Sequence, residues 1–224
     1  NENVAVTSTA TELNLLDGKA ATNLALVGKI EGANFTDSLL VGHATTGTLN
    51  AAQDNTGVGI GALNALTSGD SNTAVGNEAG GQINSGIRNT TIGAIAGDAI
   101  TTSQQNTAVG YSALTTNITG DKNTAIGAFS LNSTTAGFNI AIGKGAGSNI
   151  TSGVGNVIIG NDVDAGSATG DRQLKIVGGD GSTTTTWISG SSAGVVTLNA
   201  ANVTQQALSS SSNAVAWDSS AKPN

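Results

Sequence analysis

Asn55-Thr56-Gly57-Val58-Gly59 is followed seventeen residues later by Asn72-Thr73-Ala74-Val75-Gly76. Asn89-Thr90-Thr91-Ile92-Gly93, Asn106-Thr107-Ala108-Val109-Gly110 and Asn123-Thr124-Ala125-Ile126-Gly127 come next. Asn139-Ile140-Ala141-Ile142-Gly143 and Asn156-Val157-Ile158-Ile159-Gly160 continue the series, and Ser38-Leu39-Leu40-Val41-Gly42 opens it more loosely. Every step is 17 residues except the 16 between Asn123 and Asn139. Eight copies therefore cover residues 38–172, and a period held that long is the signature of a repeat architecture.

Numbering each copy from its Asn, position four is Val or Ile throughout, the residue class that favours a pleated, packed strand. Position five is always Gly, which marks a backbone needing positive φ or close approach. Position eight is small (Ala62, Ala79, Ala96, Ala113, Ser130, Ala146), and position fifteen is Gly at Gly69, Gly86, Gly120 and Gly153. Each copy reads as a strand, a Gly corner, a short second strand and a polar turn. Seventeen residues are too few for a helix–turn–helix unit, and no 3.6-residue period is present. They suit one coil of a parallel β-solenoid, whose rungs stack ~4.8 Å apart, so that eight coils make a rod of roughly 40 Å.

Alternation along the strand gives position four to one face and position three to the other. The reading places the position-four aliphatics inside as a continuous ladder. Position three is Leu40, Gly57, Ala74, Thr91, Ala108, Ala125, Ala141 and Ile158. Position three is thus also small or apolar, and a strand apolar on both faces is buried on both. Position three is therefore expected to pack against neighbouring chains, as one thin coil has little apolar area to hide. The expected object is an oligomeric rod, taken as a trimer. The position-one Asn residues are expected to stack as an amide ladder or to hold a turn in the αL region.

Composition narrows the function. Charged residues are 10% of the 224, with 32 Gly, one Pro, no Cys, no Met and six aromatic residues (two Trp, one Tyr, three Phe). This is poor material for the converging acids, bases and bulky core of an enzyme. No disulfide framework or thiolate metal site is possible without Cys, and one His, His43, makes no histidine cluster. A net charge of −7 lacks the basic stripe that phosphate binding requires, so no nucleic-acid partner is expected. No apolar run reaches the ~18 residues of a membrane span, so no membrane insertion is expected. Low charge with 38% hydrophobic residues also argues against disorder.

The Asn-Thr-Ala-Val-Gly and Asn-Thr-Ala-Ile-Gly copies resemble the head repeats of trimeric autotransporter adhesins, and similar repeats occur in bacteriophage tail fibres. The resemblance implies a left-handed parallel β-roll with three chains to a rod. The 17-residue period is longer than the adhesin unit. Thr9-Ala10-Thr11-Glu12-Leu13-Asn14-Leu15-Leu16-Asp17-Gly18 resembles an element common in phage tail-fibre proteins, and reads physically as a short helix capped at Ser8 or Thr9 and stopped by Gly18. Asn213-Ala214-Val215-Ala216-Trp217-Asp218 resembles the opening of a further β module of tail fibres. Because the chain opens on Asn1 rather than Met and stops inside that resemblance, a longer native chain is expected.

Four segments follow. Residues 1–37 are an N-terminal connector with the short helix, 38–172 the solenoid repeats, 173–208 a small β module, and 209–224 a linker and the start of a further module. The resemblance implies a tail fibre segment of a virion, extracellular, acting in host attachment. Its partners would be two further copies of itself, other virion tail proteins, and a host-surface receptor that is a glycan or outer-membrane protein. An autotransporter adhesin head is the alternative. A glycan-cleaving tailspike and an ice-binding solenoid are remoter ones.

The sequence assigns no catalytic, cofactor-binding or metal-ligating residue. Gly178-Gly179-Asp180-Gly181 reads as a hairpin turn rather than a calcium or phosphate loop. Asp162, Asp164 and Asp171 lie in the last coil. Paired carboxylates can hydrolyse glycans, but without an aromatic cleft they read as charge that blocks edge pairing. His43 reads as a solvated turn residue. The Thr column at position two (Thr56, Thr73, Thr90, Thr107, Thr124) could bind ice, but it shares a strand face with position four and is expected to point inward or to an edge. Tyr111, Phe129, Phe138 and Trp187 could stack on sugars, yet they do not recur at one rung position and read as scattered aromatics.

Overall fold

The computed structural model describes residues 28–32, 35–41, 49–179 and 183–198. The expected helix at 9–18, His43 and the 209–224 segment lie outside them. The described chain is all-β. Its strands are β1 (Gly28–Gly32), β2 (Phe35–Val41), β3 (Ala52–Gln53), β4 (Thr56–Val58), β5 (Thr73–Val75), β6 (Thr90–Ile92), β7 (Thr107–Val109), β8 (Thr124–Ile126), β9 (Ile140–Ile142), β10 (Val157–Ile159), β11 (Leu174–Gly179), β12 (Thr184–Gly190) and β13 (Val196–Leu198).

All belong to one sheet. β2 and β4 to β10 stack in parallel, one strand per copy, with β3 alongside the start of β2. Equivalent positions are in register throughout, as in Thr73↔Thr90 and Val75↔Ile92. The protein is thus a parallel β-solenoid of about eight coils. The ends differ from the middle: β1 folds back antiparallel on β2, and β11, parallel to β10, begins an antiparallel series with β12 and β13. The β11–β12 pairing is the hairpin expected around Gly178-Gly179-Asp180-Gly181.

From β4 to β10 each coil holds one three-residue strand, not two. In place of the expected second strand, positions seven and nine adopt left-handed backbone with φ from 46° to 74°, Gly and non-Gly alike, including Ile95, Phe129 and Leu114. Such conformations cost an L-residue roughly 1 kcal/mol or more and persist only where surroundings enforce them. Here hydrogen bonds between rungs enforce them. The position-seven N–H of Glu78 donates back to Ile60 O at 2.7 Å, and the position-nine N–H of Gly80 donates forward to Ala96 O at 2.9 Å. The same two bonds recur at Ile95 and Gly97. The arc is therefore tied to both neighbouring coils without strand geometry.

Position five needs Gly for two reasons. Its φ is 123–139° in the seven coils from Gly59 to Gly160, and a Cβ on Gly76 would stand 2.6 Å from the Gly93 carbonyl of the next rung.

The coil interior is filled from position three and from two positions of the arc. Position three is fully buried at Ala74, Thr91, Ala108, Ala125, Ala141 and Ile158. This corrects the expected orientation: position three points into the coil and position four points out. Across the coil, the large side chain comes from position nine or position twelve. Leu114 and Leu131 occupy position nine, with short polar Asn117 and Thr134 at twelve. Ile83, Ile100 and Ile150 occupy position twelve, with Gly80, Gly97 and Gly147 at nine. A Cβ on Gly97 would stand 2.8 Å from Ile100 Cδ1 and 2.6 Å from Thr91 Cγ2. Volume is balanced inside each rung, as close packing requires. The first full coil holds both Leu63 and Leu66, and there position three is Gly57, whose missing Cβ leaves room for Leu40 and Leu63.

Beside this apolar filling runs a buried amide ladder. Asn55, Asn72, Asn89, Asn106, Asn123, Asn139 and Asn156 have no exposed surface. Asn72 Oδ1 accepts the Asn89 N–H at 3.0 Å and the Asn89 amide at 3.1 Å, and Asn72 Nδ2 donates to Gly86 O at 2.8 Å. Every polar atom is used, which is what makes a buried amide tolerable. The αL residue is the one before each Asn, such as Ser71 or Arg88, rather than the Asn itself. Ser38 Oγ begins the ladder by accepting the Asn55 N–H. Gln173 ends it, giving its N–H and amide to Asn156 Oδ1 and its amide also to Ser167 O and Gly170 O. The 16-residue coil keeps the backbone link of the ladder: Asn139 N–H still reaches Asn123 Oδ1 at 3.0 Å, and the missing residue comes out of the far turn.

Candidate interaction surface

Since position three faces inward, positions two and four face outward together. Position four forms a straight column: Val58, Val75, Ile92, Val109, Ile126, Ile142 and Ile159, with exposures of 38–40% at Val58, Val75, Ile92, Ile126 and Ile142. Position two forms a second column, Thr56, Thr73, Thr90, Thr107 and Thr124, then Ile140 and Val157. The inward or edge position expected for the Thr column is therefore corrected. Its side chains stand on the same open sheet face as the aliphatics, exposed or half-buried.

Both columns continue past the repeats. Val157 pairs with Leu174 and Ile159 with Ile176. Ile176 pairs with Ile188 and Leu174 with Gly190. Ile188 then pairs with Leu198 and Gly190 with Val196. At the other end, Leu39 and Val41 of β2 align with Thr56 and Val58. No charged residue stands in either column from Leu39 to Leu198, although the chain carries a net charge of −7. Val196 and Leu198 are 58% and 56% exposed. This continuous uncharged stripe, aliphatic in one column and Thr then aliphatic in the other, is the candidate interaction surface.

The other candidate residues sit away from this stripe or on its borders. Asp171 repeats a device found at Asp70 and Asp121, the sixteenth position of their copies. Each carboxylate Oδ1 accepts a backbone N–H of the preceding rung, Val154, Gln53 and Gln104 respectively, at 2.8–2.9 Å. Asp162 pairs with Lys144 Nζ at 2.8 Å, and Asp164 accepts from Ser148 Oγ at 3.3 Å. Edge blocking is not their role, because β11 covers the β10 edge. Asp98 has its carboxyl raised above the ordinary Asp range, first by burial and then by the charge of Glu78.

Tyr111 and Phe129, on successive rungs just past the Gly corner, meet edge to face at 5.2 Å. Phe138 lies under Lys122 Nζ at 5.0 Å on the strand's other flank. Trp187 lies over Gly178, where a Cβ would collide with its ring. The four aromatics do not converge. Among the described residues no three His, Cys, Asp or Glu side chains group as a metal site, and no helix is long and apolar enough to cross a membrane.

Period and strand positions pointed to this surface, but its orientation was hidden by the uniformity of position four, which reads as core. The extension over β11 to β13 was missed because those strands lie outside the repeat; the alternating pattern of Leu174-Lys175-Ile176 is the signal that carries it. No protein-family model, curated protein or solved structure matches the chain.

Proposed function

We propose that the chain is a structural segment of a phage tail fibre, a rigid homotrimeric rod that serves in host attachment and has no enzymatic activity. The single observation that carries the reading is the uncharged, outward pair of columns along the whole sheet. A second copy of this chain has the same rung rise and column spacing, so its ladders can meet these in register. Two negatively charged copies can approach here without opposing charges. The resemblance of the repeats to adhesin heads and phage tail fibres supplies the trimer and the setting. In that role the hydrogen-bonded coils give stiffness, and threefold symmetry multiplies weak receptor contacts.

Host receptor contact then falls to surfaces away from the columns, and other virion tail proteins join at the rod ends. An ice-binding role is less well supported despite the outward Thr column. Its companion column is Val or Ile rather than Thr, and the Thr column itself gives way to Ile140 and Val157.

Sedimentation equilibrium tests the proposal. The expected mass is three times the 21.8 kDa of one chain, with elongated particles in electron micrographs. A single chain at all concentrations overturns the trimer. Release of oligosaccharide from host polysaccharide, lost in Asp162→Asn or Asp164→Asn, overturns the non-enzymatic reading.

A further inference from the structure

The two columns are not uniform along the rod. In β4 to β8 one column is Thr and the other Val or Ile. From β9 onward both are aliphatic: Ile140 and Ile142, then Val157 and Ile159. The strands that follow have left the 17-residue repeat and have no Gly corner, yet Leu174, Ile176, Ile188, Val196 and Leu198 hold the same two columns through the antiparallel register. Repetition does not account for them there. The opposite face of this hairpin series carries Lys175, Thr186, Ser189 and Thr197 beside the buried Val177, while Trp187, at the bulge, packs over Gly178 on the column side. Lys175 Nζ closes the coil end by donating to Asp164 O at 2.9 Å.

An antiparallel sheet with one apolar and one polar face ordinarily packs its apolar face on a core. Here the apolar face is turned outward. From β9 to β13 the partly exposed aliphatics present on the order of 600 Å² of apolar surface, which approaches one partner's share of a standard interface. The Thr-bearing half offers a hydroxyl at every rung, which water satisfies without help.

We propose that self-association is driven from the C-terminal end, and that β11 to β13 belong to the interface between copies rather than serving only to close the coil. The occupant is a second copy of this chain, docked column on column from β9 to β13. The Thr-bearing half follows as a weaker, wetter continuation. This rests on the self-association reading above.

Matched truncations in the full chain test it. Ile188→Ser with Leu198→Ser removes apolar area from the last two strands, and Val58→Ser with Val75→Ser removes the same chemistry from the first coils. Dissociation is followed by sedimentation, with circular dichroism reporting that the coils persist. The expected result is a dissociation constant raised at least 100-fold by the first pair and less than 10-fold by the second. The chain has no Cys, so a single introduced thiol gives a second measure independent of those variants' folding. Leu198→Cys should be protected from a maleimide under conditions where Val58→Cys reacts. Equal losses from both pairs, a larger loss from the first-coil pair, or a reactive Leu198→Cys in the oligomer overturns the C-terminal assignment while leaving self-association standing. A wild-type chain that is single at all concentrations overturns both.

Discussion

Neighbouring residues of one three-residue strand live in opposite worlds. Position three is hidden completely and yet varies among Leu, Gly, Ala, Thr and Ile; position four is about two-fifths exposed at five rungs and is always Val or Ile. Inside the coil, variation at one position is balanced by another in the same rung, so what stays constant is total volume. On the outer face nothing within the chain can compensate, and what stays constant is residue type. Uniformity among repeats therefore reports here on what lies outside the coil, and diversity marks a core that balances itself.

The sharpest challenge to that contrast is in the ladder, where no compensation is available. Asn72→Ala strands the Asn89 N–H and the Gly86 carbonyl and removes one of the two donors to Asn55 Oδ1. Unfolding in urea should show a loss of about 3 kcal/mol or more.

Volume balance has its own test. Gly97→Leu alone overfills the rung and should cost roughly 2–3 kcal/mol. Combined with Thr91→Ala and Ile100→Thr, it reproduces the Ala125, Leu131 and Thr134 filling found two rungs later, and most of the loss should return. If the triple variant is no more stable than Gly97→Leu, rungs are not interchangeable units.

Thr91 offers a gain in stability. Its Oγ1 is buried without a hydrogen-bond partner, where neighbouring rungs place Ala. Thr91→Val keeps the shape and should add about 1 kcal/mol, read as a higher urea midpoint.

On the outer face, Ile92→Ser should change the stability of a dilute, single chain by less than ~1 kcal/mol, because the side chain is already partly in water. Its effect belongs to association. A loss as large as that of Asn72→Ala would mean that the column is core.

The smallest effect is conditional on pH. Asp98 titrates above its unfolded value of 3.8, so the folded state holds the proton more tightly. Stability from this group is present below pH 3.8 and is lost as pH rises through the raised folded value. Asp98→Asn should therefore melt above the wild type at neutral pH, and the difference should vanish below pH 3.8.

The sequence made legible whatever repeats as an identical letter. The period, the strand at Thr73–Val75 and its equivalents, the Gly corner and the Asn ladder are all visible as columns. The inward side was not, for a reason that the core explains. Its large residues alternate between positions nine and twelve, so neither column reads as aliphatic, and Leu131 in one rung answers Ile150 in the next. The left-handed arc was hidden in the same way, as Ile95, Ser112 and Phe129 share a conformation but no chemistry. Alternation separated the two strand faces, but only the width of the coil decides which of them fits inside. An interior already holding one Leu or Ile per rung accepts Ala more readily than Val.

Ser38 and Gln173 begin and finish the asparagine chain without any reference to how many links lie between them. A duplicated copy adds one step of ~4.8 Å and presents the same donors and acceptors to whatever lies above and below it. The rod is in that sense a ruler whose graduations can be added or removed one copy at a time, with neither terminal fitting redesigned.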